Sequence, residues 1–201
     1  MYKRFGWNEK LSFNLYEPGV IDHLMRLRPK PNSRIFVCST MELFHPAVLD
    51  KWRKDIFAII EENPKLTFII LTKMPERIDR PMPDNVWLGV SAEGVNDWCR
   101  VRELSKINAL TRFVSLEPFI GESPGFGPPR EFDWLIIGRL TGHGRKHNPN
   151  PKSIRRIVSR VQALGIPVFL KNNIREIWGR PLIQEFPAPA IPHELRGLRE
   201  E

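Results

Sequence analysis

Glu42, Lys73, Glu93, Glu117, Arg139 and Lys171 occupy one kind of place in this chain. Each closes a short apolar run, at 34–42, 66–73, 86–93, 112–117, 134–139 and 167–171. A carboxylate so placed accepts charge-assisted hydrogen bonds from an ammonium. A lysine in an apolar mouth can form a Schiff base with a carbonyl, or it can pair with a carboxylate. Three carboxylates are available to Lys73 and Lys171, so pairing is their expected state. An internal network of this kind is costly to assemble without function. Lys73, Glu93, Glu117 and Lys171 are therefore the candidate catalytic groups. Ser91 and Ser115 supply further polar wall.

A second constellation follows the fifth run. The stretch 139–156 carries Arg139, His143, Arg145, Lys146, His147, Lys152, Arg155 and Arg156, with Gly138, Gly142 and Gly144 allowing close backbone approach. Late strand–helix loops of barrels often hold phosphate. The glycine spacing matches neither a Walker loop nor a Rossmann fingerprint. Arg139, His143, Arg145, Lys146, Arg155 and Arg156 are the candidates for phosphate or nucleic acid. His45, beside Pro46, reads as a structural histidine at a helix start.

The elements that must position these groups follow from the pattern. Strands are expected at about 34–40, 66–72, 86–91, 112–116, 133–138 and 167–170. An amphipathic helix is expected after Pro46, with Val48, Leu49, Trp52, Ile56, Ile59 and Ile60 on one face and Asn63-Pro64 as its stop. A second is expected at 96–108, with Trp98, Val101, Leu104 and Ile107 inward. A third is expected at 151–164, burying Ile154, Ile157, Val158, Val161 and Leu164, with Gly165 as its cap. A short helix at about 19–27 stops at Pro29 and Pro31. Trp7, Trp87, Trp98 and Trp134 read as core. Alternating strands and helices mean βαβ units and a parallel sheet. The expected fold is α/β, a partial TIM-like (β/α) barrel of about six parallel strands. It forms a single domain over 1–201, with an irregular segment at 1–33 and a proline-rich tail at 180–201.

Composition narrows the partners. The 201 residues carry a formal net charge of +8. That balance favours nucleic acid or a phosphorylated small molecule. No apolar stretch approaches the roughly 18–20 residues of a membrane span. The N-terminus lacks the apolar centre of a signal peptide, so a cytoplasmic location is expected. Cys38 and Cys99 cannot form a disulfide framework, and both read as small buried side chains.

Five stretches, 36–45, 71–77, 85–93, 112–118 and 133–138, resemble in register a phage-associated family of unknown function. That family is a distant relative of the radical S-adenosylmethionine enzymes. The resemblance runs from about residue 34 to residue 172. It implies a barrel whose first visible strand presents Ser39 and Glu42 to S-adenosylmethionine, Glu42 to the amino group, with Ser91 and Ser115 as further cofactor-side groups. It also implies an N-terminal Cys-x3-Cys-x2-Cys motif holding a [4Fe–4S] cluster through three thiolates. This sequence has no such motif, and no metal is ligated by its residues. Either Met1 is an internal start or the lineage lost the cluster. Gly138-Arg-Leu-Thr-Gly142 also stands where the family carries Gly-Gly-Glu, and Lys171-Asn172 where Lys-Gln is common.

Three functions follow as expectations. The first is a radical S-adenosylmethionine-like barrel, truncated or without its cluster, acting on a nucleic-acid or phosphorylated substrate. The second is a basic nucleic-acid-binding module without catalysis. The third is a metal-free barrel enzyme that uses a strand-end lysine.

Overall fold

The computed structural model describes residues 29–38, 41–120, 132–142 and 145–188. The expected helix at 19–27, Trp7, Ser39, the loop at 121–129, His143, Gly144 and the tail beyond 188 lie outside the described residues.

Six strands form one parallel sheet in sequential order. They are β1 (Arg34–Val37), β2 (Thr67–Thr72), β3 (Val86–Ala92), β4 (Thr111–Leu116), β5 (Trp134–Ile137) and β6 (Val168–Leu170). The α-helices among the described residues are α1 (Asp50–Glu62), α2 (Trp98–Ser105), α3 (Pro151–Ala163) and α4 (Arg175–Trp178). Sequential parallel strands with intervening helices are the geometry of a (β/α) barrel. Here six strands make a curled half-barrel.

Side-chain parity divides the sheet into two faces. Phe68, Ile70, Val86, Leu88, Val90, Ala92, Val114, Leu116, Leu135, Ile137, Val168 and Leu170 face the helices. They pack with Phe57 and Ile60 of α1, Val101 and Leu104 of α2, and Ile154, Ile157, Val158 and Val161 of α3. The alternate residues line the concave face. Near the N-terminal ends of the strands that face is aromatic. Trp134 is its hub, with ring centroids 5.7 Å from Trp87, 5.7 Å from Phe113, 6.0 Å from Phe169 and 5.5 Å from Phe186.

The register makes Gly89 of β3 the partner of Phe113 of β4. The Phe113 ring lies across that glycine, where an added Cβ would meet ring carbons at 2.3 to 2.5 Å. The segment after α4 covers the β6 edge. Leu170 N–H donates to Ile183 O at 2.7 Å, Glu185 N–H to Val168 O at 3.0 Å, and Trp134 Nε1–H to Glu185 O at 2.9 Å. Phe186 then reaches the far side of the curl, where the Arg34 guanidinium of β1 sits 4.1 Å from its ring centroid.

Several boundaries differ from the sequence reading. β1 ends at Val37 because Cys38 has φ +54°, outside the extended region. α1 begins at Asp50, not after Pro46, because 45–48 closes a turn in which Val48 N–H donates to His45 O at 2.9 Å. Its buried face accordingly includes Phe57, while Leu49 is exposed. α2 is shorter than expected, with a 3-10 turn at Val95–Asp97 before it. α3 starts on Asn150, whose side chain accepts from Lys152 N–H at 2.8 Å, and Gly165 follows it at φ +72°. Leu164 and Cys99 are exposed, because both fall on the solvent side of their helix ends.

Candidate functional site

The C-terminal ends of the strands gather polar groups on the concave face. Parity carries that face from Trp87 and Gly89 to Ser91 and Glu93, and from Phe113 to Ser115 and Glu117. Ser91 and Ser115 are register partners and both are buried. Ser91 Oγ donates to Glu117 O at 3.4 Å.

Two ion pairs stand above these serines. Lys73 Nζ lies 3.1 Å from Glu93 Oε1, a bond between adjacent strand ends. Lys171 Nζ lies 2.6 Å from Glu117 Oε2, a bond that spans the intervening β5. Gly138 makes that reach possible. A Cβ there would come within 2.6 Å of Glu117 Oε1, so the glutamate lies against the bare backbone. The lysine side chains are 37% and 43% exposed and their glutamates 20% and 28%, so both pairs are open to a ligand from solvent.

Glu42 joins the mouth in a different way. Its Oε1 accepts from Thr72 Oγ1 at 2.7 Å and from Phe44 N–H at 3.2 Å. Its Oε2 accepts from Lys73 N–H at 2.8 Å. A carboxylate offers about four acceptor positions, and three are filled here. Glu42 thus ties the segment after β1 to the end of β2.

Arg139 lies at the opposite parity to Gly138 and is held by Asn173. Arg139 Nε–H donates to Asn173 O at 2.5 Å, and Asn173 Nδ2–H returns a bond to Arg139 O at 3.1 Å. Arg145 and Lys146 are exposed in the loop before α3, and Arg155 and Arg156 are exposed on α3 itself. The structure therefore brings Lys73, Glu93, Glu117, Lys171, Ser91, Ser115 and Glu42 together, pins the partly buried Arg139 to Asn173, and keeps Arg145, Lys146, Arg155 and Arg156 on the exterior. His45 Nδ1 accepts from Ala47 N–H at 3.2 Å within its turn.

Other supporting groups were not singled out from sequence. Asp97 Oδ2 accepts from Glu93 N–H at 2.8 Å, and Asp97 Oδ1 pairs with Arg100 at 2.9 Å. Arg100 NH1 in turn donates to Ser91 O at 3.0 Å. The acid and base three apart at a helix start were the available signal. Thr72, Asn173 and the spacer role of Gly138 gave none, because each depends on a neighbour distant in sequence.

Cys38, next to β1, has its thiol pushed up from the ordinary 9.0 to about 11, first by burial and then by the Glu42 carboxylate. Such a thiol is a poor metal ligand near neutral pH. Cys99 lies apart on α2. Among the described residues no group of three or more His, Cys, Asp or Glu can hold a metal ion. These residues do not fit a three-thiolate cluster.

Fold and site together define an α/β half-barrel with a charged mouth at the carboxyl ends of its strands. The chain belongs to a family described as "Protein of unknown function (DUF5131)", whose family model matches residues 10–181. No curated protein and no solved structure matches it. Among the described residues no helix is long and apolar enough to cross a membrane.

Proposed function

We propose that this chain is a radical S-adenosylmethionine-like half-barrel whose concave mouth binds S-adenosylmethionine. The observation that carries the reading is the pair of bridges, Lys73–Glu93 and Lys171–Glu117, flanking Ser91 and Ser115 on one concave face. A ligand that bears both an ammonium and a carboxylate finds a partner for each there.

The charge balance favours the same ligand. Glu42, Glu93 and Glu117 against Lys73 and Lys171 give these five groups a formal charge of −1. S-adenosylmethionine, with its sulfonium, ammonium and carboxylate, carries +1. When bound it supplies an activated carbon–sulfonium bond. The chain's own residues would hold it: Glu93 or Glu117 at the ammonium, Lys73 or Lys171 at the carboxylate, and the serine hydroxyls between. Glu42, already bonded to three donors, would set the strand ends rather than take the amino group.

Titration of S-adenosylmethionine into the protein tests this. Glu117→Gln and Lys171→Met should each weaken binding by about tenfold, the equivalent of one charge-assisted hydrogen bond. Saturable binding of equal strength in wild type and both variants, or no binding to wild type, would sink the reading.

The nucleic-acid reading draws on a different observation. α3 carries Lys152, Arg155, Arg156 and Arg160 and no carboxylate, and these four are exposed. A duplex that binds there should lose affinity steeply with salt, and Arg155→Gln with Arg156→Gln should lower the salt slope by about two. Affinity indifferent to salt would remove it.

A further inference from the structure

A second charged constellation lies away from the concave mouth. Between α1 and the turn after β2 is a cavity of about 430 Å³. Arg53 and Lys54 line it from α1, and Arg77 and Arg80 line it from the segment after β2. Asp50 and Asp79 are its two carboxylates, so the lining carries a formal +2.

The guanidinium groups are held in place. Arg53 pairs with Asp50 one turn back. Arg80 is anchored to Glu61, outside the lining, at 2.7 Å, and its guanidinium sits 4.2 Å from the Phe57 ring centroid. Arg77 Nε–H donates to Phe44 O at 3.1 Å. Among the described residues the terminal nitrogens of Arg77 and the ammonium of Lys54 have no partner. A guanidinium anchored at Nε with its terminal nitrogens free suits a tetrahedral oxyanion, because the planar fork of arginine meets two of its oxygens at once, and the exposed Lys54 ammonium adds a point charge beside it. The first turn of α1, which bears Asp50 and has no side-chain cap, adds the positive end of a 13-residue helix.

We propose that this cavity binds a phosphate-type anion, with Arg77 and Lys54 as its principal donors. The site stands independently of the S-adenosylmethionine reading, since it shares no residue with the concave mouth. The phosphate can belong to a small molecule or to a nucleic-acid backbone.

The test is a pair of titrations on the full chain at constant ionic strength, one with inorganic phosphate and one with a short single-stranded oligonucleotide. Arg77→Gln and Lys54→Gln are compared with Lys106→Gln, an exposed residue outside that lining whose loss changes the net charge equally. Saturable phosphate binding that falls at least fivefold in Arg77→Gln and Lys54→Gln, is partly restored in Arg77→Lys, and is unchanged in Lys106→Gln supports the site. The same pattern with the oligonucleotide alone supports it and assigns the phosphate to nucleic acid. Absence of binding to both probes, or equal losses in all three glutamine variants, overturns it. Circular dichroism of each variant confirms that a loss is not unfolding.

Discussion

Lys171 and Glu117 meet because the residue between them has no side chain. Gly138 leaves the space over β5 empty, and the pair closes across it at 2.6 Å. The two cysteines show how position alone separates chemically identical groups. The Cys38 thiol, raised to about 11, is about one part in a thousand thiolate at pH 8, whereas Cys99 is exposed. Iodoacetamide at pH 8 should therefore label Cys99 promptly and Cys38 slowly, with the Cys38 rate still climbing toward pH 11. Mass spectrometry of the two peptides reads this, and equal rates at pH 8 would refute it. The sign for stability follows. Between about pH 9 and pH 11 the unfolded thiol has lost its proton and the folded one has kept it. The Cys38 contribution is thus full below pH 9 and declines as pH rises through that window. At this scale the strand-end charges were legible because each ends an apolar run. Their partners were legible only as a choice among three carboxylates, since the choice depends on which strands adjoin and on Gly138.

The strands also depend on a glycine at an inward position. Phe113 is fully buried, and its ring fills the space above Gly89. Gly89→Ala should destabilise the fold by about 1–3 kcal/mol, the usual cost of overpacking a filled core, because the ring has nowhere to retreat. Urea denaturation at fixed pH measures it, and an unchanged midpoint would contradict the packing described. Strand existence was readable from dense β-branched and aromatic runs, and the buried faces of α2 and α3 from their period. The start of α1 was not. Pro46 is a good first-turn residue, yet the backbone bond from Val48 N–H to His45 O closes a separate turn first. The end of β1 was hidden for a similar reason, since nothing in the type of Cys38 announces φ +54°.

At the scale of the whole molecule the mouth and the α3 side differ in charge. The concave mouth holds opposed pairs, and the exterior holds Arg145, Lys146, Arg155 and Arg156. A net charge of +8 says only that a basic surface exists somewhere. The sequential strand order was expected from alternating elements. The curl into a partial barrel was expected too, but the contact of Arg34 of β1 with Phe186 was not, because it joins residues at opposite ends of the sheet. The most direct test of the account is a map of backbone amide shifts as S-adenosylmethionine is added to the isotope-labelled protein. Saturating shifts at Lys73, Ser91, Glu93, Ser115, Glu117 and Lys171, with α3 undisturbed, are the expected result. Shifts confined to the exterior of α3, or none at all, would contradict the claim that the concave mouth is the ligand site.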